Sequence, residues 1–213
     1  QFDPNRYNRR PDKSSQSNDS LVTGVSFLDI IINSGNANTC TGDDGLEKAK
    51  KMASLCGKSL NIKADDVLVA STGVIGVPLN IDAIKDGIPI AIAQLNSYGG
   101  HSAAEAIITT DTATKEISIE FQINGTPVVI GAMAKGSGMI HPNMATMLSF
   151  ITTDLNIDAK LLKEALKSSV DISYNRVSVD GDSSTNDMVV ILANGLANND
   201  NINEKDHNYY TFL

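Results

Sequence analysis

The sequence has no tryptophan, few aromatic residues (5%), three histidines and two cysteines in 213 residues. Zinc sites need several Cys or His ligands at short spacings, and this chain offers no such spacing, so we expect no metal site. A disulfide between Cys40 and Cys56 is not expected in a reducing compartment. Cys56 lies on the apolar face of a predicted helix, which indicates a buried thiol.

Positive charge and long apolar runs are also lacking. The chain has 25 acidic against 17 basic residues and a formal net charge of -8, which argues against nucleic-acid binding because phosphates attract Lys and Arg clusters. No apolar run approaches the roughly 20 residues of a membrane span, and no signal peptide pattern opens the chain. We therefore expect neither nucleic acid nor membrane as a partner.

Apolar residues make up 41% of the chain, which is enough to form a sizeable buried core. Residues 21–213 are predicted to form a single domain. Residues 1–20 are rich in Asn, Ser, Asp and Arg without periodicity, which predicts a disordered or loop segment.

Hydrophobic periodicity predicts a mixture of helices and strands. Strands are expected at 26–32, 66–70, 116–123, 127–133, 147–153 and 187–193, and helices at 43–60, 81–95, 103–107 and 157–170. Asn124 and Gly125 separate two strands and predict a tight hairpin turn, because both tolerate positive φ angles. These elements favour an α+β or layered α/β fold.

Two details of the helices can be predicted from single residues. Gly87 and Pro89 should interrupt the second helix. Asp154 or Asn156 should cap the helix predicted at 157–170. The segments 33–42 and 194–206 have loop composition.

The most informative segment is residues 135–148, KGSGMIHPNMATML. Glycine, proline and small polar residues lead directly into an apolar strand, which indicates a sharply bent backbone at its start. Thr146 at this strand start is a candidate nucleophile. The alternative is a threonine that begins a strand and packs its methyl group inward.

Thr146 needs a base, because a threonine hydroxyl is a weak nucleophile. One solution is self-cleavage: the hydroxyl attacks the carbonyl of Ala145, an ester forms, and water releases it. Thr146 is then a new N-terminus, whose α-amine, with an ordinary pKa of about 7.7–8.0, can accept the hydroxyl proton.

Five segments of the chain resemble, in the same order, the ornithine acetyltransferase family, which comprises the bifunctional glutamate/ornithine N-acetyltransferases of arginine biosynthesis. They are residues 32–38 (INSGNAN), 70–76 (ASTGVIG), 108–112 (ITTDT), 135–148 (KGSGMIHPNMATML) and 179–187 (VDGDSSTND). The similarity covers roughly residues 29–195. Family members are longer at both ends, so we expect this chain to be an incomplete, internal part of such a catalytic domain.

The resemblance implies a layered α/β/β/α sandwich with a self-processed N-terminal Thr nucleophile. The chain would be cleaved between Ala145 and Thr146 into two chains that stay associated and assemble into a higher homo-oligomer. The implied reaction moves an acetyl group from N-acetyl-L-ornithine to L-glutamate through acetyl-Thr146. Some members also use acetyl-CoA as donor, and no metal or bound cofactor is implied. The implied compartment is the cytoplasm, or the mitochondrial matrix in a eukaryote.

The resemblance also implies roles for other residues. Thr72 and Gly73 would stabilise the oxyanion, which a hydroxyl and a backbone N–H suit chemically. Thr109 would hydrogen-bond the substrate. Lys135 could hold a substrate carboxylate, because an amino-acid substrate must be anchored by its charge. The alternatives are an ordinary turn after a strand for Thr72 and Gly73, a strand or cap hydroxyl for Thr109, and a solvated surface lysine for Lys135.

Other interpretations of the sequence were weighed. Asp180 and Asp182 could form a Mg²⁺ or phosphoryl-transfer site, or simply a turn. A phosphate loop at 135–137 lacks the upstream glycines. His141 is not assigned as a base. The alternative functions are a related self-processing amidohydrolase or aminopeptidase, with water as acceptor, and a non-catalytic structural fragment.

Overall fold

The computed structural model describes residues 21–22, 29–140, 147–182 and 184–213. The strands are β1 (Leu21–Val22), β2 (Asp29–Asn33), β3 (Val67–Ser71), β4 (Lys115–Ile123), β5 (Thr126–Lys135), β6 (Leu148–Thr153) and β7 (Met188–Ala193). The helices are α1 (Asp43–Leu60), α2 (Ile81–Ala93), α3 (Gly100–Ile107), α4 (Ala159–Ile172) and α5 (His207–Phe212). The segment 1–20, predicted as a loop, and the first part of the strand predicted at 26–32 lie outside the described residues.

The strands form two sheets. One has five strands in the order β1-β7-β6-β5-β4, and the other pairs β2 with β3. The β2–β3, β1–β7 and β6–β7 pairs are parallel, whereas the β4–β5 and β5–β6 pairs are antiparallel. Parallel neighbours need a crossover connection, and α1 and α4 supply it between β2 and β3 and between β6 and β7.

The two sheets pack against each other and are covered by helices on their outer faces. Leu68 and Ala70 of β3 meet Leu148 and Phe150 of β6 in the central core. Residues of α1 cover the other face of β2–β3, with α2 packed beside α1. Residues of α4 cover the other face of β6 and β7. The order helix, sheet, sheet, helix confirms the α/β/β/α arrangement.

The local sequence explains several elements directly. In α1, Asp43 and Asp44 lie in the first turn, where the helix dipole favours negative charge, and Asn61 ends the helix in the left-handed conformation. Between β4 and β5, Asn124 and Gly125 adopt φ angles of 49° and 81°. These two positive angles confirm the predicted hairpin turn.

The predicted interruption of α2 is wrong. The helix runs unbroken from Ile81 to Ala93 with Pro89 inside it, and Asn80 caps it by accepting a hydrogen bond from the Ala83 amide at 3.1 Å. Proline removes the amide that would bond to the carbonyl of Lys85. Both Pro89 and Lys85 are exposed, so water can satisfy that carbonyl.

The predicted cap of α4 is also wrong. The helix begins at Ala159 with Asp158 as its N-cap residue. The two expected caps are used elsewhere: Asp154 accepts a hydrogen bond from the Val129 amide, and Asn156 pairs with Asn199.

Helix α5 was not predicted. Asp206 caps it by accepting a hydrogen bond from the Tyr209 amide at 3.0 Å. The helix is held by burial of Tyr209 and by contact of the Phe212 ring with Phe121, whose centroids lie 6.4 Å apart.

The two cysteines have different environments. Both are free; Cys40 is exposed and Cys56 is buried, as expected from the periodicity of α1. The Cys56 thiol donates a hydrogen bond to Asp29 Oδ2 at 3.1 Å. Burial, followed by this contact with Asp29, raises the pKa of Cys56 to about 12.

The described helices include none that is both long enough and apolar enough to cross a membrane.

Candidate active site

The proposed nucleophile, Thr146, is not among the residues that the structure describes. Ala145, Thr146 and His141 lie outside the described residues, and Ile140 and Met147 are the described residues on either side. The prediction that Thr146 is a nucleophile therefore stays a prediction. The other four candidate residues, Thr72, Gly73, Thr109 and Lys135, are all described.

Thr72 follows the last residue of β3. Its amide donates a hydrogen bond to the Asn33 carbonyl at 3.1 Å, which extends the pairing of β2 with β3 by one residue. The residue is only 1% exposed, and its hydroxyl has no hydrogen-bond partner among the described residues. Buried hydroxyls are normally paired, so this atom is available to a ligand or a reacting group.

Gly73 can only be a glycine. Its φ angle is +126°, which side chains rarely adopt, and a Cβ there would lie 2.2 Å from the carbonyl carbon of Gly35. The backbone of the INSGNAN segment thus packs directly against the ASTGVIG segment. The Val74 amide adds a hydrogen bond to the Gly35 carbonyl at 3.2 Å.

Lys135, the last residue of β5, is 3% exposed, so the interpretation as a solvated surface lysine is wrong. Its Nζ donates a hydrogen bond to the hydroxyl of Thr109 at 3.1 Å, and Thr109 itself is exposed. The buried cation is therefore bonded to the hydroxyl of an exposed residue. Burial lowers the pKa of Lys135, and the charges of Asp111 and Asp187 partly oppose that shift.

Asp111 holds the glycine-rich segment that follows Lys135. It accepts hydrogen bonds from the Gly136 amide at 2.8 Å and from Lys115. Burial, the largest single influence, would raise the pKa of Asp111, but these two hydrogen bonds and the charges of Lys115 and Lys135 together outweigh it, and the pKa is lowered. The hydroxyls of Thr110 and Ser137 add a contact at 2.7 Å.

The strand after the candidate nucleophile is fixed at its first residues. Leu148 pairs with Lys135 on one side and with Met188 on the other. Just before it, the Met147 amide donates to Asp187 Oδ1 at 2.8 Å and the Met147 carbonyl accepts from the Met188 amide at 2.9 Å. Lys135 therefore lies at the same level of the sheet as the residues that follow Thr146.

Asn186 joins three of the five segments, a role that the sequence did not reveal. Its Nδ2 donates to Asn38 Oδ1 and to the Ser71 carbonyl, both at 2.9 Å. Ser71 Oγ in turn accepts from the Asn38 amide at 3.1 Å. The sequence showed these polar residues inside its motifs, but no spacing rule connects positions so far apart.

Asp180 binds backbone amides of its own turn and of the segment 139–140. Its carboxylate accepts hydrogen bonds from the amides of Met139, Ile140 and Asp182. The bond from Met139 is the main cause of a lowered pKa of Asp180. In the described ranges no group of three or more His, Cys, Asp or Glu residues is arranged to hold a metal ion. The geometry favours the turn interpretation of this segment over the phosphoryl-transfer one.

The chain is similar to known proteins along most of its length. A sequence model of the ArgJ family matches residues 12–212. The arginine biosynthesis bifunctional protein ArgJ of Symbiobacterium thermophilum is 55% identical over 183 residues, which are 86% of this chain and 46% of that protein. ArgJ 1 of Clostridium acetobutylicum is 57% identical over 183 residues, again 86% of this chain and 45% of that protein.

A solved structure gives the same result. The crystal structure of ArgJ from Bacillus halodurans aligns with a TM-score of 0.50 at 46% identity, over 55% of this chain and 61% of that chain. The chain spans about half the length of the curated relatives it matches. On the match of the family model and the identity to these relatives, the chain belongs to the ArgJ family.

Proposed function

We propose that this chain is the self-processing part of a glutamate/ornithine N-acetyltransferase, with Thr146 as nucleophile. The observation that carries the proposal is the buried Lys135, which donates to the exposed Thr109 and pairs in register with Leu148, two residues after Thr146. A cation fixed beside the start of that strand suits a substrate that carries a carboxylate.

Self-cleavage is the first step of the proposed mechanism. The Thr146 hydroxyl attacks the Ala145 carbonyl, the amide nitrogen of Thr146 leaves as an amine, and an ester joins the two parts. Water hydrolyses the ester, which frees the carboxylate of Ala145 and restores the hydroxyl. The new α-amine of Thr146 then serves as the base for catalysis.

Acetyl transfer follows in two half-reactions. The Thr146 hydroxyl gives its proton to the α-amine and attacks the acetyl carbonyl of N-acetylornithine. The C–N bond breaks, ornithine leaves with the proton, and acetyl-Thr146 remains. The amine of glutamate attacks this ester, N-acetylglutamate leaves, and Thr146 regains its proton.

The oxyanion of each tetrahedral intermediate needs fixed donors. We assign this role to the hydroxyl of Thr72 and the backbone amide of Gly73. The assignment is supported by the buried Thr72 hydroxyl, which is unpartnered within the described part of the chain, and by the tight packing of Gly73 on Gly35. Thr109 and Lys135 bind the substrate, Lys135 through a carboxylate. The chain's own groups thus supply the nucleophile, the base and the oxyanion donors, so the proposed chemistry requires no resident cofactor.

The two products of cleavage should stay together. Strands β5 and β6 lie on opposite sides of the cut and pair from Ile130–Thr153 to Lys135–Leu148. Separating them would expose this ladder and the core between the sheets. We propose further association into a homo-oligomer, and action in a reducing compartment such as the cytoplasm, which the two free cysteines suit.

The proposal is tested by the intact mass of the purified chain beside a Thr146→Ala variant. We expect two fragments that meet between Ala145 and Thr146 in the parent, and one chain in the variant. Thr146→Ser, which keeps a hydroxyl, should still cut, and Thr112→Ala, at an exposed loop threonine, should cut like the parent. A folded parent that stays whole overturns the proposal for this chain.

Incubation of the cleaved chain with N-acetylornithine then tests the transfer. We expect the fragment that begins with Thr146 to gain the mass of one acetyl group, and glutamate to remove it as N-acetylglutamate. Loss of the acetyl group at the same rate without glutamate would identify a hydrolase instead. Acetyl-CoA in place of N-acetylornithine tests the second donor.

A further inference from the structure

The residues before β7 connect the two halves of the candidate site. Asn186 contacts the ASTGVIG segment on one sheet, through Ser71, and Asp187 contacts Met147 on the other. They are neighbours in the chain, and consecutive Cα atoms lie about 3.8 Å apart. A displacement of one residue is therefore transmitted to the other.

Asn186 fixes the peptide that leads into Thr72. The carbonyl of Ser71 accepts from Asn186 Nδ2, and the amide on the same peptide, that of Thr72, donates to the Asn33 carbonyl. Both polar groups of this peptide plane are therefore held. Ser71, Thr72 and Asn38 are buried and Asn186 is half-buried, so water has limited access to these bonds.

Asp187 holds Met147, the first described residue after Thr146. The amide of Met147 is bonded covalently to the carbonyl carbon of Thr146, and Asp187 Oδ1 accepts its proton. A hydrogen bond to a carboxylate is stronger than one to a neutral oxygen. The neighbouring amide, that of Met188, holds the Met147 carbonyl.

Apolar packing alone would not set the distance between these two peptides. The sheets meet through a hydrophobic core, which includes Leu68 and Leu148, and hydrophobic contact is not directional. Hydrogen bonds from adjacent residues to both sheets are directional and specify a separation. A displacement of about 1 Å between reacting groups can cost about a hundredfold in rate.

We propose that Asn186 and Asp187 are positioning residues for self-cleavage and acetyl transfer. They form a clamp, the 186–187 clamp, that holds the Thr72–Gly73 turn at a fixed distance from the strand that follows Thr146. Neither side chain needs to touch the substrate. The proposal rests on the proposed function, because it assigns these residues to the reaction of Thr146.

The test uses four variants of the full 213-residue chain. Asn186→Asp keeps the shape but replaces the donor with an oxygen that faces two acceptors. Asp187→Ala removes the acceptor for the Met147 amide, and Asp187→Asn keeps an acceptor oxygen and removes the charge. Asn203→Asp and Asp200→Asn, at exposed positions, are combined in one control variant that makes the same chemical changes.

We expect self-cleavage, followed by intact mass, to slow about tenfold or more in Asn186→Asp and Asp187→Ala. Asp187→Asn should cut faster than Asp187→Ala, because it keeps the bond to Met147. In the cleaved enzymes kcat per folded molecule, with the folded fraction measured by circular dichroism, should fall while the KM for N-acetylornithine stays near that of the parent, as expected when an interaction made only in the transition state is lost. The control variant should match the parent.

The outcomes separate the two proposals. A parent that does not cut refutes the proposed function and, with it, the catalytic role of the clamp. A parent that cuts while both disruptive variants cut at the parent rate refutes the clamp alone. If Asn186→Asp or Asp187→Ala does not fold, the decision passes to Asp187→Asn, which weakens the bond to Met147 by removing its charge, assayed below its own melting temperature. Cleavage and kcat at the parent rate would then refute the clamp, and slower cleavage with a reduced kcat per folded molecule would support it.

Discussion

The ammonium group of Lys135 donates a hydrogen bond to the hydroxyl of Thr109 at 3.1 Å, from a side chain that is buried to one that is exposed. Thr109 thus links the buried ammonium group to the exposed residues around it. A carboxylate that enters there meets a cation which has already lost most of its hydration. Under the proposed function, binding of a substrate carboxylate at Lys135 should therefore depend on pH.

Lys135→Arg should remove that sensitivity. Burial lowers the pKa of Lys135, so its ammonium loses the proton at a pH below the roughly 10.4 of a free lysine. We predict that the KM for N-acetylornithine rises as pH increases through this lowered pKa. Arginine stays protonated throughout this range, so the variant should lack the alkaline rise, whatever its KM at neutral pH.

The measurement is KM between pH 7 and pH 10 for the parent, the variant and Lys51→Arg, which changes an exposed lysine. An equal alkaline rise in the parent and in Lys135→Arg would show that a different group titrates.

Gly73→Ala should be far more harmful than Gly76→Ala. Both glycines have positive φ angles, +126° and +77°, so each alanine bears a conformational cost of about 1–2 kcal/mol. Only at Gly73 does the new Cβ meet backbone, 2.2 Å from the Gly35 carbonyl carbon; at Gly76 nothing lies within 4 Å. We predict a further loss of about 1–3 kcal/mol in the free energy of unfolding for Gly73→Ala.

Urea denaturation of the two variants and the parent provides the comparison, with all three proteins in the same state of cleavage. Equal losses at the two positions would mean that the Gly35 backbone moves aside without cost.

Asp180→Asn should destabilise the chain at neutral pH and matter less in acid. Hydrogen bonds from the backbone amides, first that of Met139, lower the pKa of Asp180 below its unfolded value of about 3.9. The stabilisation is therefore present above about pH 3.9 and is lost as pH falls through the lower, folded pKa. We predict a lower Tm for the variant at pH 7, and a difference from the parent that shrinks in that acid range.

The control is Asp182→Asn, which removes an exposed carboxylate two residues away. Thermal melts at several pH values decide the matter: a Tm difference independent of pH would assign the effect to geometry rather than to the charge of Asp180.

Thiol labelling should distinguish the two cysteines. Burial and the contact with Asp29 raise the pKa of Cys56 to about 12, and the reactive form is the thiolate. We predict that iodoacetamide at mildly alkaline pH adds one label to the native chain, at Cys40, and a second only in denaturant. Cys40→Ser should take no label when native, and rapid labelling of that variant would contradict the burial of Cys56.

The elements that depend on local sequence could be predicted, and those that depend on partners could not. Asn124 and Gly125 specify their turn by themselves, and the apolar stripe of α1 spans the helix from Asp43 to Leu60. Helix α5 escaped prediction because it is short and depends on burial of Tyr209. The interruption predicted at Pro89 failed because solvent at an exposed helix face relieves the loss of one amide.

The same distinction holds at the candidate site. The motifs indicated which residues to examine, and Thr72, Gly73, Thr109 and Lys135 lie in structured surroundings. The burial of Lys135 was not visible, because it depends on strands and loops that pack around the end of β5. The bonds of Asn186 to Asn38 and Ser71 were equally hidden, since they join residues that are 148 and 115 positions apart.

Those long separations have a consequence for when the chain becomes active during its synthesis. Contacts that close large loops form late in folding, because the chain loses the entropy of loop closure before the contact can stabilise it. The ribosome releases Asn186 only after Thr146. There is thus an interval in which the Ala145–Thr146 bond has been made but the peptide before Thr72 has not yet formed its hydrogen bond with Asn186. Under the proposed function and the proposed clamp, a nascent chain stays uncleaved until the sequence up to β7 has emerged and folded. Cleavage between Ala145 and Thr146 would therefore occur only in chains whose residues 146–193 have been synthesised.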